Sequence, residues 1–124
     1  MDAMNTMNTI DAIMTTRAIR RYTDGPVSDD DVLTCLRAAQ QAPTGGNVQP
    51  VQYVVVTEPE RRARLAHWYR HAFDRYELTL PEPSVFKRPA DADSWRRSRD
   101  ASRHLADHLG DAPVIVLFLL PIIE

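Results

Sequence analysis

The sequence is poor in several residue types that would point to particular classes of protein. It has one cysteine, Cys35, and one lysine, Lys87, among 124 residues. A single cysteine excludes a disulfide within the chain, which suits a reducing compartment, and we expect a cytoplasmic protein. The longest apolar run, residues 114–120, is far shorter than the roughly 20 residues of a membrane helix, and the N-terminus lacks the features of a secretory signal.

The charge balance argues against a nucleic-acid partner. The formal net charge is -2, so no global positive field draws the chain to DNA or RNA. The hydrophobic share of 44% and the charged share of 26% are ordinary for a globular protein. We therefore expect one domain with a single core, without a nucleic-acid or membrane partner.

Two helices are predicted in the first third of the chain. The first begins near Asn8 or Thr9, either of which can cap it, and three apolar residues at helical spacing should face the core, namely Ile10, Ile13 and Met14. The second begins at Ser28, which forms a capping-box-like pair with Asp31, and it ends before Pro43. Its predicted buried stripe consists of Val32, Cys35, Leu36 and Ala39.

The remaining sequence predicts two strands and two more helices. Residues 52–57 contain three consecutive valines, which favours a strand buried on both faces. A Thr57/Glu60 capping box then begins a helix that extends to about Tyr76. Residues 78–93 are predicted as a loop, residues 94–109 as a helix and residues 114–120 as a second buried strand.

This order of elements, ααβααβ, predicts an α+β fold. Two buried strands are too few for a stable sheet, which usually needs three or more. We therefore expect residues 1–124 to form a single domain that is incomplete at its C-terminus, with the missing strands supplied by a partner chain or a longer protein.

Two segments carry side chains that suit a ligand. Arg17, Arg20 and Arg21 lie in an irregular or extended segment, where Arg17 and Arg21 would share a face, and guanidinium groups suit phosphate oxygens. The alternative is a solvated arginine cluster, because most runs of charge face solvent.

The second segment, residues 42–50, reads A-P-T-G-G-N-V-Q-P. Gly45 and Gly46 would let the backbone adopt positive φ and approach a ligand closely. Thr44, Asn47 and Gln49 offer hydrogen-bond donors and acceptors that suit a planar heterocycle with a mixed polar edge. The alternative is a turn whose amides bond its own backbone.

Together, these two segments resemble those of the nitroreductase superfamily of FMN-dependent oxidoreductases. The superfamily has a basic R-S-x-R-x-F/Y segment, a P-V turn, a helix, and then A-P-S-x-x-N-x-Q-P-W before a strand. Here T-R-A-I-R-R-Y-T-D-G-P-V precedes an acidic-capped helix, and A-P-T-G-G-N-V-Q-P precedes the valine-rich strand. The match is dense over residues 10–65 and looser over residues 94–120.

The resemblance implies roles for individual residues. Arg17 and Arg20 correspond to FMN contacts on the phosphate and the pyrimidine side, and Asn47 to the asparagine that bonds the isoalloxazine edge. Ala18 replaces the usual serine, and Val51 stands where tryptophan is common. The implied flavin-binding set is Arg17, Ala18, Arg20, Pro43, Thr44, Gly45, Asn47 and Gln49.

The same resemblance implies a function and an assembly. NAD(P)H would reduce the flavin, which would pass electrons to a nitroaromatic, a quinone or a similar acceptor, with no catalytic acid or base from the protein. The flavin would lie at the interface of a homodimer. The alternative is a truncated remnant that binds a flavin or a partner without turnover.

A metal-binding helical module is a third alternative. It would use His67/His71 and His104/His108, two pairs at the i, i+4 spacing of metal ligands. We expect ordinary exposed histidines and no metal, because neither pair has the glutamate of the zinc-protease pattern. Cys35 is expected to pack in the core instead of acting as a nucleophile.

Overall fold

The computed structural model describes residues 7–23 and 25–121. Four helices and two strands follow in the predicted order ααβααβ, which confirms the α+β class. Their bounds are α1 Thr9–Thr15, α2 Asp29–Ala39, β1 Gln52–Val56, α3 Pro59–Glu77, α4 Pro89–His108 and β2 Ile115–Leu119.

Local sequence signals explain where the first two helices begin. The side chain of Asn8 accepts a hydrogen bond of 2.8 Å from the amide of Ile10, and this caps α1 as predicted. Ser28 Oγ accepts from the amide of Asp31 at 3.1 Å and donates to its carboxylate at 2.7 Å. Both N-termini therefore confirm the prediction.

β1 and β2 form an antiparallel pair, and they are the only strands among the residues that the structure describes. Gln52 pairs with Leu119, and the register continues to Val56 opposite Ile115. Tyr53 lies opposite Phe118, with their ring centroids 5.7 Å apart in an edge-to-face arrangement. Such a cross-strand aromatic pair stabilises a two-stranded ribbon.

The guanidinium group of Arg62 links α3 to one end of the strand pair, where β1 ends and β2 begins. Its Nε donates to the carbonyl of Thr57 at 3.1 Å, just after β1. Its Nη1 donates to the carbonyl of Gly110 at 3.0 Å and also to that of Ala112, in the turn before β2. Gly110 lies close against α3, since a Cβ there would be 3.3 Å from Ala66 Cβ.

α3 and α4 are joined by ion pairs around Arg103. Arg103 bonds the carboxylates of both Glu77 and Asp74, and its guanidinium carbon lies 4.8 Å from the ring centroid of Phe73. Arg99 pairs with Glu77 at 3.2 Å. The hydrogen bond from Arg103, followed by that from Arg99, lowers the pKa of Glu77, while burial opposes this shift.

The structure corrects the predicted bounds of α3 and α4. α3 is capped by Glu58 and not by a Thr57/Glu60 box, and no side chain bonds its first amides. α4 begins at Pro89, five residues before the predicted start at Ser94, because proline suits the first helical turn and Arg88 pairs with Asp91 across it. The predicted loop 78–93 also contains a short 3-10 helix, Pro83–Val85.

The predicted burial of α1, α2 and the strands is wrong in the described chain. Neither α1 nor α2 contains a buried residue, Met14 is 78% exposed, and Cys35 is exposed. Val54 and Val55 are exposed as well, although Val56 is buried. The apolar stripes are present in the sequence, but no second layer of the described residues packs against them.

The buried part of the described chain is small. Its buried apolar residues are Val56, Phe73, Ala92, Ala106 and Ala112. Of these, Phe73 is the only large aromatic side chain. No described helix is both long enough and apolar enough to cross a bilayer.

Replacing Phe73 with alanine should destabilise the fold. Phe73 is 7% exposed, and Phe→Ala in a packed site costs about 3 kcal/mol. We expect a lower urea midpoint for F73A by circular dichroism. W68A is the control, because Trp68 is on the same helix but 62% exposed. Equal losses for the two variants would contradict the assigned core.

Acidification should weaken the contact between α3 and α4 through Glu77. Its pKa lies below the ordinary value of 4.5, so its contribution to stability is complete above that pH and is lost as the pH falls through the lowered pKa. We expect E77Q to flatten the dependence of the melting temperature on pH below about pH 5. D93N, which removes an exposed pair with Arg96, should leave that dependence unchanged.

Candidate functional site

The loop between α2 and β1 has an unusual backbone. A 3-10 helix, Gly45–Asn47, lies within it. Gly46 has φ 60°, Asn47 has φ 54° and Gln49 has φ 48°. The left-handed region is disfavoured for residues with a side chain, and asparagine tolerates it better than glutamine. Two such residues beside a glycine give the loop a defined and costly shape.

Hydrogen bonds inside the loop hold that shape. The amide of Gln49 donates to Thr44 Oγ1 at 3.0 Å, and the amide of Asn47 donates to the Thr44 carbonyl at 3.0 Å. Gln49 Nε2 donates to Asn47 Oδ1 at 3.1 Å. The self-bonded turn, one of the two interpretations of the sequence, therefore describes these contacts. No described hydrogen bond uses Asn47 Nδ2 or Gln49 Oε1 within residues 7–23 and 25–121.

The prediction for the two glycines holds at one of them. Gly46 adopts positive φ, as expected. Gly45 does not, and a Cβ there would meet nothing within 4 Å. The loop therefore needs glycine for its conformation at Gly46, whereas Gly45 leaves open space at the surface.

A cavity of about 460 Å³ lies beside this loop. Thr44 and Gln49 contribute polar groups to it from the loop, next to the ring of Pro43. Val51, Tyr53 and Phe118 form an apolar and aromatic side from the start of β1 and the end of β2. A planar ligand with a polar edge suits this combination, because aromatic and aliphatic side chains cover its face and the loop bonds its edge.

The basic segment lies elsewhere. Arg17 and Ala18 are exposed, in a stretch without regular secondary structure, and Arg20 is half-buried. Arg20 lines a different cavity of about 370 Å³, with His104 and His108 of α4. Arg21 Nη1 lies 3.0 Å from Nδ1 of His104. Arg20 and the loop side chains thus line separate cavities in the described chain.

The two histidine pairs differ in their surroundings. His67 and His71 each lie edge-to-face against Trp68, with centroid distances of 5.3 and 6.1 Å. His104 and His108 are stacked, with ring centroids 4.3 Å apart. Among the residues described, no group of three or more histidine, cysteine, aspartate or glutamate side chains could hold a metal ion.

The sequence analysis missed two kinds of site residue. Tyr53 and Phe118 form the aromatic wall of the loop cavity, and their position depends on the register of the strand pair. The contact between Arg21 and His104 joins residues 83 positions apart. An aromatic residue three positions after the loop was a usable signal for Tyr53, but nothing local indicates the other contacts.

Parts of this chain are similar in sequence or in fold to known proteins. A provisionally named NADH dehydrogenase/NAD(P)H nitroreductase of Archaeoglobus fulgidus is 41% identical over 54 residues, which are 44% of this chain and 31% of that protein. A BluB-like flavoprotein from Clostridium difficile 630 superposes with a TM-score of 0.57 at 22% identity and shows a similar fold. That match covers 95% of this chain and 51% of the flavoprotein.

A second solved structure is similar as well. It is a point variant of the FMN and NADPH-dependent nitroreductase NfnB derived from sphigopyxis sp. strain HMH, with a TM-score of 0.55 and 29% identity. The match covers 90% of this chain and 58% of that protein. The chain thus spans between about half and three-fifths of the two solved proteins.

The family model for the nitroreductase family matches residues 13–121, which include the basic segment, the loop, both strands and all of α2 to α4. The match extends over most of the chain and agrees with the fold of the two solved structures. The chain belongs to the nitroreductase family.

Proposed function

We propose that this chain binds FMN and contributes to an oxidoreductase that passes electrons from NAD(P)H to a nitroaromatic, a quinone or a similar acceptor. The observation that carries the proposal is the loop of residues 42–50, of whose left-handed residues Gln49 lines a cavity with an aromatic wall, while Asn47 lies two positions before it outside that lining. The similar NfnB protein is FMN- and NADPH-dependent, which supports the same cofactors here.

The chemistry of the loop fits the polar edge of a flavin. That edge alternates hydrogen-bond acceptors with one N–H donor, so it needs both kinds of partner. Asn47 Nδ2 is a donor and Gln49 Oε1 is an acceptor, and no described internal hydrogen bond uses either atom. Tyr53 and Phe118 offer aromatic surface in the neighbouring cavity.

The remaining predicted contacts have distinct proposed tasks. Arg17 would bind the phosphate of FMN with its exposed guanidinium group, and Arg20 would bind the pyrimidine side. Ala18 would contact the flavin with its backbone groups only. Pro43 and Gly45 shape the loop and leave space for the ligand.

When bound, FMN supplies the redox chemistry by accepting a hydride from a nicotinamide and passing electrons to the acceptor. The protein's task is then to bind and orient the reactants, and we propose no catalytic acid or base among its side chains. Thr44 contributes by bonding the amide of Gln49, which fixes the loop that would present Asn47.

We also propose that a second copy completes the site. The apolar residues of α1 are exposed in the single chain, and so are Val54 and Val55 of β1. Exposed apolar stripes of this kind mark interaction surfaces. Assembly with a second copy would cover them and could bring a basic segment to the loop cavity.

The competing function is a chain that binds a flavin or a partner without turnover. The separation of Arg20 from the loop cavity favours it, because one chain then offers only part of the set of contacts. Bound FMN together with oxidation of NADPH would distinguish the enzyme from this alternative.

The visible absorption spectrum tests flavin binding directly. We expect the purified chain to retain the flavin band after FMN is added and the excess removed. N47D should weaken FMN binding about tenfold, because it replaces an amide donor with a carboxylate while keeping the size of the side chain. Titration of flavin fluorescence measures the change.

V48A is the matched control for N47D. Val48 is exposed and next to Asn47 in the loop, and it has no proposed flavin contact. Equal FMN affinity for N47D and the unmodified chain would refute the role of Asn47. A folded chain that takes up no FMN would refute the proposed function as a whole.

Gly46 provides a second test, on the shape of the loop. Alanine at φ 60° is strained, so G46A should lower the free energy of unfolding by about 1 kcal/mol and also weaken FMN binding. G45A should have little effect on stability, because its backbone is ordinary and its surroundings are open. Urea unfolding of both variants compares the two positions, and a larger loss for G45A would contradict the described loop.

A further inference from the structure

The basic segment, residues 17–23, follows α1 and is attached to the rest of the chain by few contacts. Among the hydrogen bonds between described residues, a single one involves this segment, and it joins Arg21 to His104 of α4. Ile19 is 62% exposed and Tyr22 is 53% exposed. Segments with few hydrogen bonds and little burial open at a low cost in free energy. The position of the segment therefore depends strongly on the contact between Arg21 and His104.

Two cavities lie between this part of the chain and its surroundings. One, of about 600 Å³, is lined by the stretch from Arg21 to Val27 on one side and by residues 112–116, which lead into β2, on the other. The second, of about 370 Å³, lies between residues 20–23 and the C-terminal part of α4. Atoms that face a void lose their contact partners on that side, so side-chain packing holds the segment only weakly.

The hydrogen bond requires one protonation state of His104. A guanidinium group can only donate, so Nδ1 of His104 accepts the bond of 3.0 Å from Nη1 of Arg21. The neutral ring then holds its proton on Nε2. A second proton would occupy Nδ1, where it would replace the accepting lone pair and leave two donors facing each other.

A protonated His104 would also lie among cations. Arg21 is always charged, and Arg20 lines the same cavity as His104. The ring of His108 is stacked on that of His104, with the centroids 4.3 Å apart. Tyr22 adds a hydroxyl group to the lining of this cavity. Protonation would therefore both remove the hydrogen bond and add repulsion between Arg21 and His104.

Two carboxylates near His104 oppose this repulsion, and both have partners of their own. Asp107 pairs with Arg70 of α3 at 3.4 Å and with Arg103 at 3.8 Å. Asp111 Oδ2 lies 2.9 Å from Nδ1 of His108, which donates to it. Neither carboxylate bonds His104 in the part of the chain that the structure describes.

We propose that the contact between Arg21 and His104 is a pH-sensitive switch. Neutral His104 holds the basic segment on α4, which is the docked state, and protonated His104 releases it. Acid would then change the position of the stretch between α1 and α2, which has no regular secondary structure among its described residues. The switch uses neither FMN nor the loop cavity, so it does not depend on the proposed function.

Docking should weaken as the pH falls. In the released state His104 has its ordinary pKa of 6.5. In the docked state burial, followed by the charges of Arg21 and His108, lowers this pKa, while Asp107 and Asp111 act in the opposite direction. Docking is therefore strongest above about pH 7.5, where His104 is neutral in both states. This stabilisation is lost as the pH falls through 6.5 toward the lowered pKa, and it changes no further below that pKa.

The test follows the uniformly ¹⁵N-labelled chain, without flavin, by NMR from about pH 7.5 to about pH 5.5, where carboxyl groups ordinarily keep their charge. We expect the heteronuclear NOE of the amides of residues 17–23 to fall as the pH is lowered. The midpoint of this change should equal that of the imidazole signals of His104. An NOE that stays constant while His104 titrates would overturn the proposal without any variant.

Matched variants assign the effect to this contact. H104N keeps an accepting oxygen near the place of Nδ1 but does not titrate, so the segment should stay docked over the whole pH range. R21M removes the donor, and its segment should show at neutral pH the low NOE that the unmodified chain reaches in acid. H67N makes the same change as H104N in the other histidine pair and should leave the pH dependence unchanged.

The coupling between Arg21 and His104 must act in both directions. If neutral His104 holds Arg21, then R21M should raise the pKa of His104, because a coupling free energy is reciprocal. An unchanged pKa of His104 in R21M would show that the two side chains do not interact in solution. Release of the segment by acid in H104N would assign the pH dependence to another group. Either result would overturn the proposal.

Discussion

Arg62 holds together the parts of the structure that carry the site. Its guanidinium group bonds three backbone carbonyls, one after β1 and two in the turn before β2. Carbonyls in irregular backbone need such partners, because neither a helix nor a sheet satisfies them. This contact fixes α3 against the end of the strand pair where Val56 lies opposite Ile115, and the register that begins there places Tyr53 opposite Phe118 near the other end, in the aromatic wall of the loop cavity.

The elements were predictable to the extent that their signals are local. Asn8 and Ser28 cap their helices, and the valine-rich run forms a strand, because these preferences arise within a few residues. The early start of α4 was missed because Pro89 was counted as a loop signal, although proline is also favoured in the first turn of a helix. Burial was predicted poorly, since an apolar stripe indicates a covered face but not which chain covers it.

The residues of the candidate site were likewise predictable only where the signal is local. The loop was found from its own composition, and its positive φ at Gly46 and Asn47 agrees with the residues that tolerate it best. Gln49 in the left-handed region could not be expected, because glutamine has no preference for that conformation. The contact between Arg21 and His104 depends on how a segment without secondary structure crosses α4, and no residue pattern encodes that crossing.

The register of the strand pair couples the site to the core. Along β1, Tyr53 and Val55 share one face, while Val54 and Val56 share the other. The first face includes the aromatic residue that lines the loop cavity, and the second includes the only buried residue of the strand. A slip of one residue would exchange the two faces along the whole strand. Insertions and deletions between Pro50 and Val56 should therefore be tolerated far less in evolution than substitutions that keep the alternation.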